Sequence, residues 1–167
     1  TLRMGTNLTW CHMQNIEQPL PGFIQDRHLS NDKIIWCWNQ GLYDWGYPLS
    51  VDGHLFSTRE ITAMTALIQF SAPNSFENQL QRFLGLFSAR RGVAYKKSKI
   101  VNIPCNKVQS ENDNTAGNIH QDELLEKWHA GFQIDYRRIY GYDNSSVHEE
   151  IKFKLSNRML RSKEFTE

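Results

Sequence analysis

The spacing of apolar residues predicts helices from Ser57 onward. In this part of the chain apolar side chains recur three or four positions apart, which places them on one face of an α-helix. Ser57 with Glu60, and Asn74 with Glu77, form capping-box pairs ahead of the first two segments. The apolar positions of the three clearest segments are Ile61, Met64, Leu67 and Ile68; Leu80, Phe83, Leu84 and Phe87; and Leu125, Trp128, Phe132, Tyr136 and Ile139.

A further amphipathic helix is predicted near the end of the chain. Ser146 with Glu149 marks its start, and Val147, Ile151, Leu155 and Met159 form its apolar face. The third and longest helix is expected to run from Asn118 to Tyr140, where Gly141 can end it. The pattern therefore predicts about four helices.

Residues 1–56 have a different character, rich in Trp, Pro, Gly and Asn with little helical period. The segment 33–38, Lys-Ile-Ile-Trp-Cys-Trp, is typical of a strand. Asp52-Gly53 between apolar flanks predicts a hairpin turn. We therefore expect one α+β domain over residues 1–167, in which a small N-terminal antiparallel sheet packs with about four helices and the C-terminal two-thirds is helix-rich.

Composition narrows the class of protein. The formal net charge is +1, which excludes a surface that is basic throughout. The three cysteines, Cys11, Cys37 and Cys105, fit neither a disulfide framework nor a zinc motif. No apolar run reaches the roughly 18 residues of a membrane span, so we expect an intracellular protein without membrane contact. Asn-x-Ser/Thr triplets at Asn7 and Asn144 leave a secreted glycoprotein as the minority interpretation.

The densest polar group lies at the start of the third helix. Asp122, Glu126 and His129 fall on one strip of that helix, and carboxylates so placed suit Mg²⁺ or Mn²⁺. Asp52 and His54, on the predicted hairpin, are the best candidate ligands from elsewhere in the chain. Ordinary structure competes with this hypothesis, because acidic residues are favoured in any first helical turn and Asp-Gly is common in turns.

A basic run with interleaved aromatic residues is the second candidate. It contains no acidic residue and fits contact with a phosphate backbone; a helix C-terminus followed by a solvated connector explains it equally well. Its cations are Arg82, Arg90, Arg91, Lys96, Lys97 and Lys99.

Tryptophan is concentrated near the N-terminus, at Trp10, Trp36, Trp38 and Trp45. Such residues either fill a core or form an aromatic face for a partner. The last amphipathic helix, with Leu155 on its apolar face, is a second surface that suits a protein partner. A non-catalytic interaction domain is therefore the alternative function.

Residues 100–146 resemble the C-terminal segment of uncharacterised eukaryotic proteins derived from mobile elements. The resemblance is carried by Ile-Val-Asn at 100–102, Gly-Asn-Ile-His-Gln-Asp at 117–122, Glu126, Gly141 and Asn-Ser at 144–145. A polar insertion separates Asn102 from Gly117, and Lys127-Trp128 replace a polar pair of that family. The resemblance implies a transposase-like ancestry with Asp122 and Glu126 as catalytic acids.

The leading hypothesis is a nucleic-acid-associated domain that contacts DNA or RNA, either a metal-dependent nuclease or a remnant of one. In it, Asp122, Glu126, His129 and Asp52 would hold the divalent ion, and the basic run would bind the nucleic-acid backbone.

Overall fold

The computed structural model describes residues 1–107 and 115–158. Three short antiparallel pairs are spread along the chain. Strand β1 (Trp10–Cys11) pairs with β2 (Ile16–Glu17), β3 (Lys33–Cys37) with β4 (Arg91–Tyr95), and β5 (Phe132–Ile134) with β6 (Leu155–Asn157). The helices are α1 (Thr58–Thr65), α2 (Pro73–Leu80), the single turn α3 (Leu84–Phe87) and α4 (Gln121–His129).

The predicted fold, an N-terminal sheet packed with a helix-rich C-terminal two-thirds, is wrong. Two of the three strand pairs take at least one strand from beyond residue 90. The expected long helix ends at His129, because Gly131 adopts a φ of +86° and the chain reverses into β5. Leu155, expected on a helix, lies in β6. The predicted position Met159 lies outside the described residues.

Other predictions hold locally. The strand predicted at 33–38 is observed as β3. Helix α1 begins directly after Ser57, as the capping pattern indicates, although the Ser57 side chain makes no cap hydrogen bond. The predicted capping pair of Asn74 and Glu77 is wrong, because helix α2 begins at Pro73, one residue before Asn74, and the Ser75 hydroxyl accepts from the Ala72 N–H at 2.9 Å. Gly53 has a φ of +72°, as the predicted turn requires, but no strands flank it.

Tryptophan forms the centre of the larger core. Trp36 and Trp45 are fully buried, with their rings edge to face at a centroid distance of 4.9 Å. Each indole N–H is satisfied: Trp36 donates to the Trp45 carbonyl and Trp45 to the Leu8 carbonyl. These tryptophans therefore belong to the core and do not form an exposed face.

A second core lies beneath the helices. Its buried members are Leu49, Met64, Ile68, Leu80 and Phe87. Within the described residues, no helix has the length and apolar character needed to cross a membrane.

Candidate functional site: the Arg3 cleft

The side chain of Arg3 is buried at the centre of a polar network. Its Nη1 donates to the Ser50 hydroxyl at 2.6 Å. Its Nη2 lies 3.4 Å from the Asp44 carboxylate, and its Nη1 lies 3.6 Å from the Asp52 carboxylate. A buried guanidinium requires such partners, because moving an unpaired charge from water into the protein interior costs roughly several kcal/mol of free energy. The network thus ties the N-terminal segment to the two loops that carry these acids.

Backbone hydrogen bonds hold the segment of Arg3 in place. The Leu2 N–H donates to the Gly53 carbonyl and the Lys99 N–H donates to the Leu2 carbonyl, each at 2.8 Å. The turn at Gly53 thus presents Asp52 to the guanidinium. Asp44 is oriented separately, because the Gln18 side-chain amide donates to its second carboxylate oxygen at 3.2 Å.

Asp52 links this network to the C-terminal part of the chain. One of its oxygens accepts from the Asn102 side-chain amide at 3.2 Å and lies 3.5 Å from His148 Nε2. Asn102 and His148 are themselves joined by a parallel bridge, in which Asn102 N–H donates to the Val147 carbonyl and Glu149 N–H donates to the Asn102 carbonyl. Four distant segments therefore meet around one carboxylate.

Glu77 connects helix α2 to the loop that contains Ser50 and Val51. Sequence spacing assigns it to helix capping, but its carboxylate accepts from the Val51 N–H at 2.9 Å and from the Ser50 hydroxyl at 3.4 Å. Burial and the neighbouring Glu77 charge raise the pKa of the Tyr47 hydroxyl, to which Glu77 is hydrogen-bonded. Helix α2 is thereby fixed to the loop that carries Asp52.

These elements enclose a cleft of about 790 Å³, which we call the Arg3 cleft. Besides the network it is lined by the side chains of Tyr43, Asn74 and Asn78, and by the chain around Cys105. Asn74 and Asn78 lie one helical turn apart on α2. Tyr43 has a φ of +52°, which is strained for a residue with a side chain, and its side chain is partly exposed at the cleft.

Burial governs the ionisation of the groups around the cleft. Desolvation raises the pKa of Asp44, an effect that the Arg3 charge opposes. Desolvation, with the nearby Arg3 charge, lowers the pKa of His148 to about 4, so this imidazole is neutral at pH 7. Among the residues that the structure describes, the lining contains three acidic residues, Asp44, Asp52 and Glu77, and two basic ones, Arg3 and Lys107. The acidic and basic residues of this described lining nearly balance.

The predicted metal ligands lie in two different settings. Asp52 belongs to the Arg3 network, whereas the Asp122 side chain is 70% exposed and lies 3.4 Å from His120. Glu126 and His129 are exposed on α4. Over residues 1–107 and 115–158, no three His, Cys, Asp or Glu side chains form a group able to hold a metal ion. The assignment of Asp122 and Glu126 as catalytic acids remains a prediction.

The basic run is partly neutralised. Arg90 pairs with Glu60 at 2.7 Å and stacks on Phe87, and Lys97 pairs with Asp143 at 3.1 Å. Arg82 and Arg91 are at least partly exposed, and Lys96 is exposed. Pairing of β3 with β4 adds a cation that the sequence pattern did not include: Lys33 and Lys99 both lie over the Tyr95 ring, at 5.6 and 4.8 Å from its centroid.

Sequence reasoning selected Asp52 but missed the rest of the cleft. Arg3, Asp44 and His148 belong to no motif, Glu77 was assigned to helix capping, and the contacts of these residues span up to 96 positions of sequence, between Asp52 and His148. Only closure of the fold brings them together. In comparisons with protein-family models, curated proteins and solved structures, the chain matched none.

Proposed function

We propose that this chain binds a small, polar, uncharged organic molecule in the Arg3 cleft. A volume of about 790 Å³ is within the usual range of small-molecule sites, roughly 300 to 1,000 Å³. The near balance of charge on the lining favours a ligand without strong net charge. The mixture of amide, carboxylate and aromatic side chains suits a ligand that both hydrogen-bonds and packs against a ring.

One observation carries this proposal: the cleft combines a fixed frame with unengaged polar groups. Arg3, Asp44, Asp52 and Glu77 are held by one another or by the backbone. The side chains of Tyr43, Asn74 and Asn78 line the same space, and within the described residues none of them makes a hydrogen bond. A rigid wall that presents free donors and acceptors binds with little loss of entropy.

The test is a titration of the isotopically labelled chain with a library of neutral, polar fragments, followed by amide NMR spectra. We expect a subset of fragments to shift signals around Tyr43, Asn74 and Asn78. The variant Asn74→Ala/Asn78→Ala should weaken binding by about tenfold or more, the effect of losing one good hydrogen bond. Gln69→Ala, an exposed polar change outside the cleft, is the matched control. Shifts that map elsewhere, or none, would exclude the proposal.

The second candidate is binding of DNA or RNA through the basic run. The observation in its favour is the cluster of Lys33 and Lys99 on Tyr95, which places two cations beside an aromatic ring next to Lys96. Binding should weaken steeply with salt. Replacing Lys33, Lys96 and Lys99 together with Gln should abolish it, whereas Lys152→Gln should not, and salt-independent binding would contradict the candidate.

A further inference from the structure

Asp52 presents to the Arg3 cleft a carboxylate oxygen that the network leaves unused. The contacts of its carboxylate with Arg3, Asn102 and His148 all involve Oδ2. Among the described residues Oδ1 has no partner, and it is accessible to solvent. A carboxylate oxygen accepts hydrogen bonds and cannot donate them. A ligand that occupies this position must therefore bring a donor.

Helix α2 adds two side-chain amides to the same space. Asn74 and Asn78 line the cleft one helical turn apart, which separates their Cβ atoms by roughly 5–6 Å. Neither amide has a partner among the described residues. Each amide donates through its nitrogen and accepts through its oxygen. The matching ligand carries several polar groups, close together, that both donate and accept.

Tyr43 supplies an aromatic surface to the cleft. Its side chain is 41% exposed, and its hydroxyl makes no hydrogen bond within the described part of the chain. The face of an aromatic ring packs favourably against C–H groups through dispersion, and the packed group need not be aromatic. The ligand that fits all three features combines a polar edge with a face of C–H groups.

We propose that the ligand of the Arg3 cleft is a neutral sugar, an inference that rests on the proposed function. Every hydroxyl group of a sugar both donates and accepts through one oxygen. One hydroxyl can donate to Asp52 Oδ1, neighbouring hydroxyls can bond the amides of Asn74 and Asn78, and the C–H groups of the ring can pack on Tyr43. A planar base or amide has fewer donors and matches fewer of these groups.

An amide NMR titration of the isotopically labelled full chain tests the assignment. The probes are the methyl pyranosides of glucose, galactose and mannose, compared with uracil and nicotinamide, which are neutral and polar but have no hydroxyl group. We expect at least one glycoside to shift the signals of Tyr43, Asp52 and Asn74 saturably, with an affinity about tenfold or more above that of either comparison compound. At least one monodeoxy analogue of that glycoside should bind about tenfold more weakly, because a polar group of the site is then left unpaired.

Variants of Tyr43 separate the contribution of the ring from that of the fold. Tyr43→Asn removes the ring, and asparagine tolerates the φ of +52° better than tyrosine does, so this variant should fold. It should bind the glycoside about tenfold more weakly, and Tyr43→Phe, which keeps the ring, should bind more tightly than Tyr43→Asn. Tyr140→Asn, at a tyrosine that is 76% exposed outside the cleft, is the matched control and should bind as the wild type does.

The outcomes separate the sugar assignment from the proposed function. If no glycoside shifts the cleft signals, the sugar assignment is overturned. Binding of uracil, nicotinamide or another neutral fragment in that case leaves the proposed function intact, whereas no binding by any of them ends both. A glycoside that wild type and Tyr43→Asn bind equally well would also overturn the sugar assignment.

Discussion

The Arg3 guanidinium lies 3.4 Å from the Asp44 carboxylate, and both side chains are almost completely withdrawn from water, at 5% and 10% exposure. The pair is one arm of a bridge whose other arm is Asp52, at 3.6 Å. A single cation thus pairs with two carboxylates that come from different loops. Its loss would leave both acids without their compensating charge.

Arg3→Met should destabilise the chain strongly. Removing one partner of a buried ion pair typically costs about 3–5 kcal/mol, because the remaining charge stays desolvated. Chemical denaturation at pH 7 gives the free energy of unfolding. Arg59→Met, at an exposed arginine, should change it by less than about 0.5 kcal/mol. Equal effects of the two variants would show that the Arg3 network contributes no stability.

Stability should fall in acid through two histidines. Burial, aided by the Arg3 charge, lowers the pKa of His54 and of His148 to about 4 from an ordinary 6.5. Between those values the unfolded chain binds protons that the folded chain does not. The stabilisation is therefore complete above pH 6.5 and is lost as the pH falls toward 4, by at most about 3 kcal/mol for each histidine.

The measurement is the free energy of unfolding as a function of pH. His148→Gln and His54→Gln should each flatten the slope between pH 6.5 and 4. A wild-type profile that is flat over this interval would contradict the prediction, since it would mean that neither imidazole is held neutral by folding.

Two glycines should respond to alanine in opposite directions. A Cβ on Gly92 would lie 2.6 Å from the fully buried Trp36 ring, so Gly92→Ala should cost about 1–3 kcal/mol. A Cβ on Gly85, within α3, meets nothing within 4 Å. Gly85→Ala should therefore stabilise the helix by up to about 1 kcal/mol. Thermal unfolding of both variants tests this prediction. A Gly92→Ala variant with unchanged stability would contradict it and would mean that the Trp36 ring can shift.

The metal hypothesis for Asp122 and Glu126 has a direct spectroscopic test. If a cation binds there, Mn²⁺ should broaden the amide signals of α4, and Asp122→Asn with Glu126→Gln should remove the effect. Both side chains are exposed, so the double variant should keep its stability within about 1 kcal/mol. Broadening confined to the signals of Asp44 and Asp52 would place the cation in the Arg3 cleft and reject the α4 assignment.

The local sequence pattern predicts secondary structure correctly where interactions between neighbouring residues determine it. The strand at Lys33 and the start of α1 after Ser57 follow from side-chain shape and helix-start chemistry. The same reasoning does not predict β4, because Arg91–Tyr95 lies in the basic run and its buried positions are the small residues Gly92 and Ala94. Gly92 lies directly opposite Trp36 in this strand pair, and the Trp36 ring occupies the space that a Cβ on Gly92 would need. Small residues such as Gly92 and Ala94 do not produce the alternation of large apolar residues from which a strand is predicted.

The prediction of a long helix from Asn118 to Tyr140 is wrong for a different physical reason. Its apolar stripe continues past Gly131 at helical spacing, yet that glycine adopts a left-handed φ and redirects the chain. Periodicity in the sequence could not predict the cleft, because Arg3, Asp52 and His148 come together only when the chain folds. The Asp-Gly turn identifies Asp52, whereas Arg3 and His148 lie in no sequence pattern that marks them.

The meeting of residues 3, 52, 102 and 148 at one carboxylate also has a consequence for how the molecule assembles. Contacts between such distant positions lose much chain entropy before they gain any energy, so they form late and slow the folding of the whole chain. During synthesis from the N-terminus, Arg3 and Asp52 can meet early. The contacts of Asn102 and His148 with Asp52 can form only after residue 148 has left the ribosome.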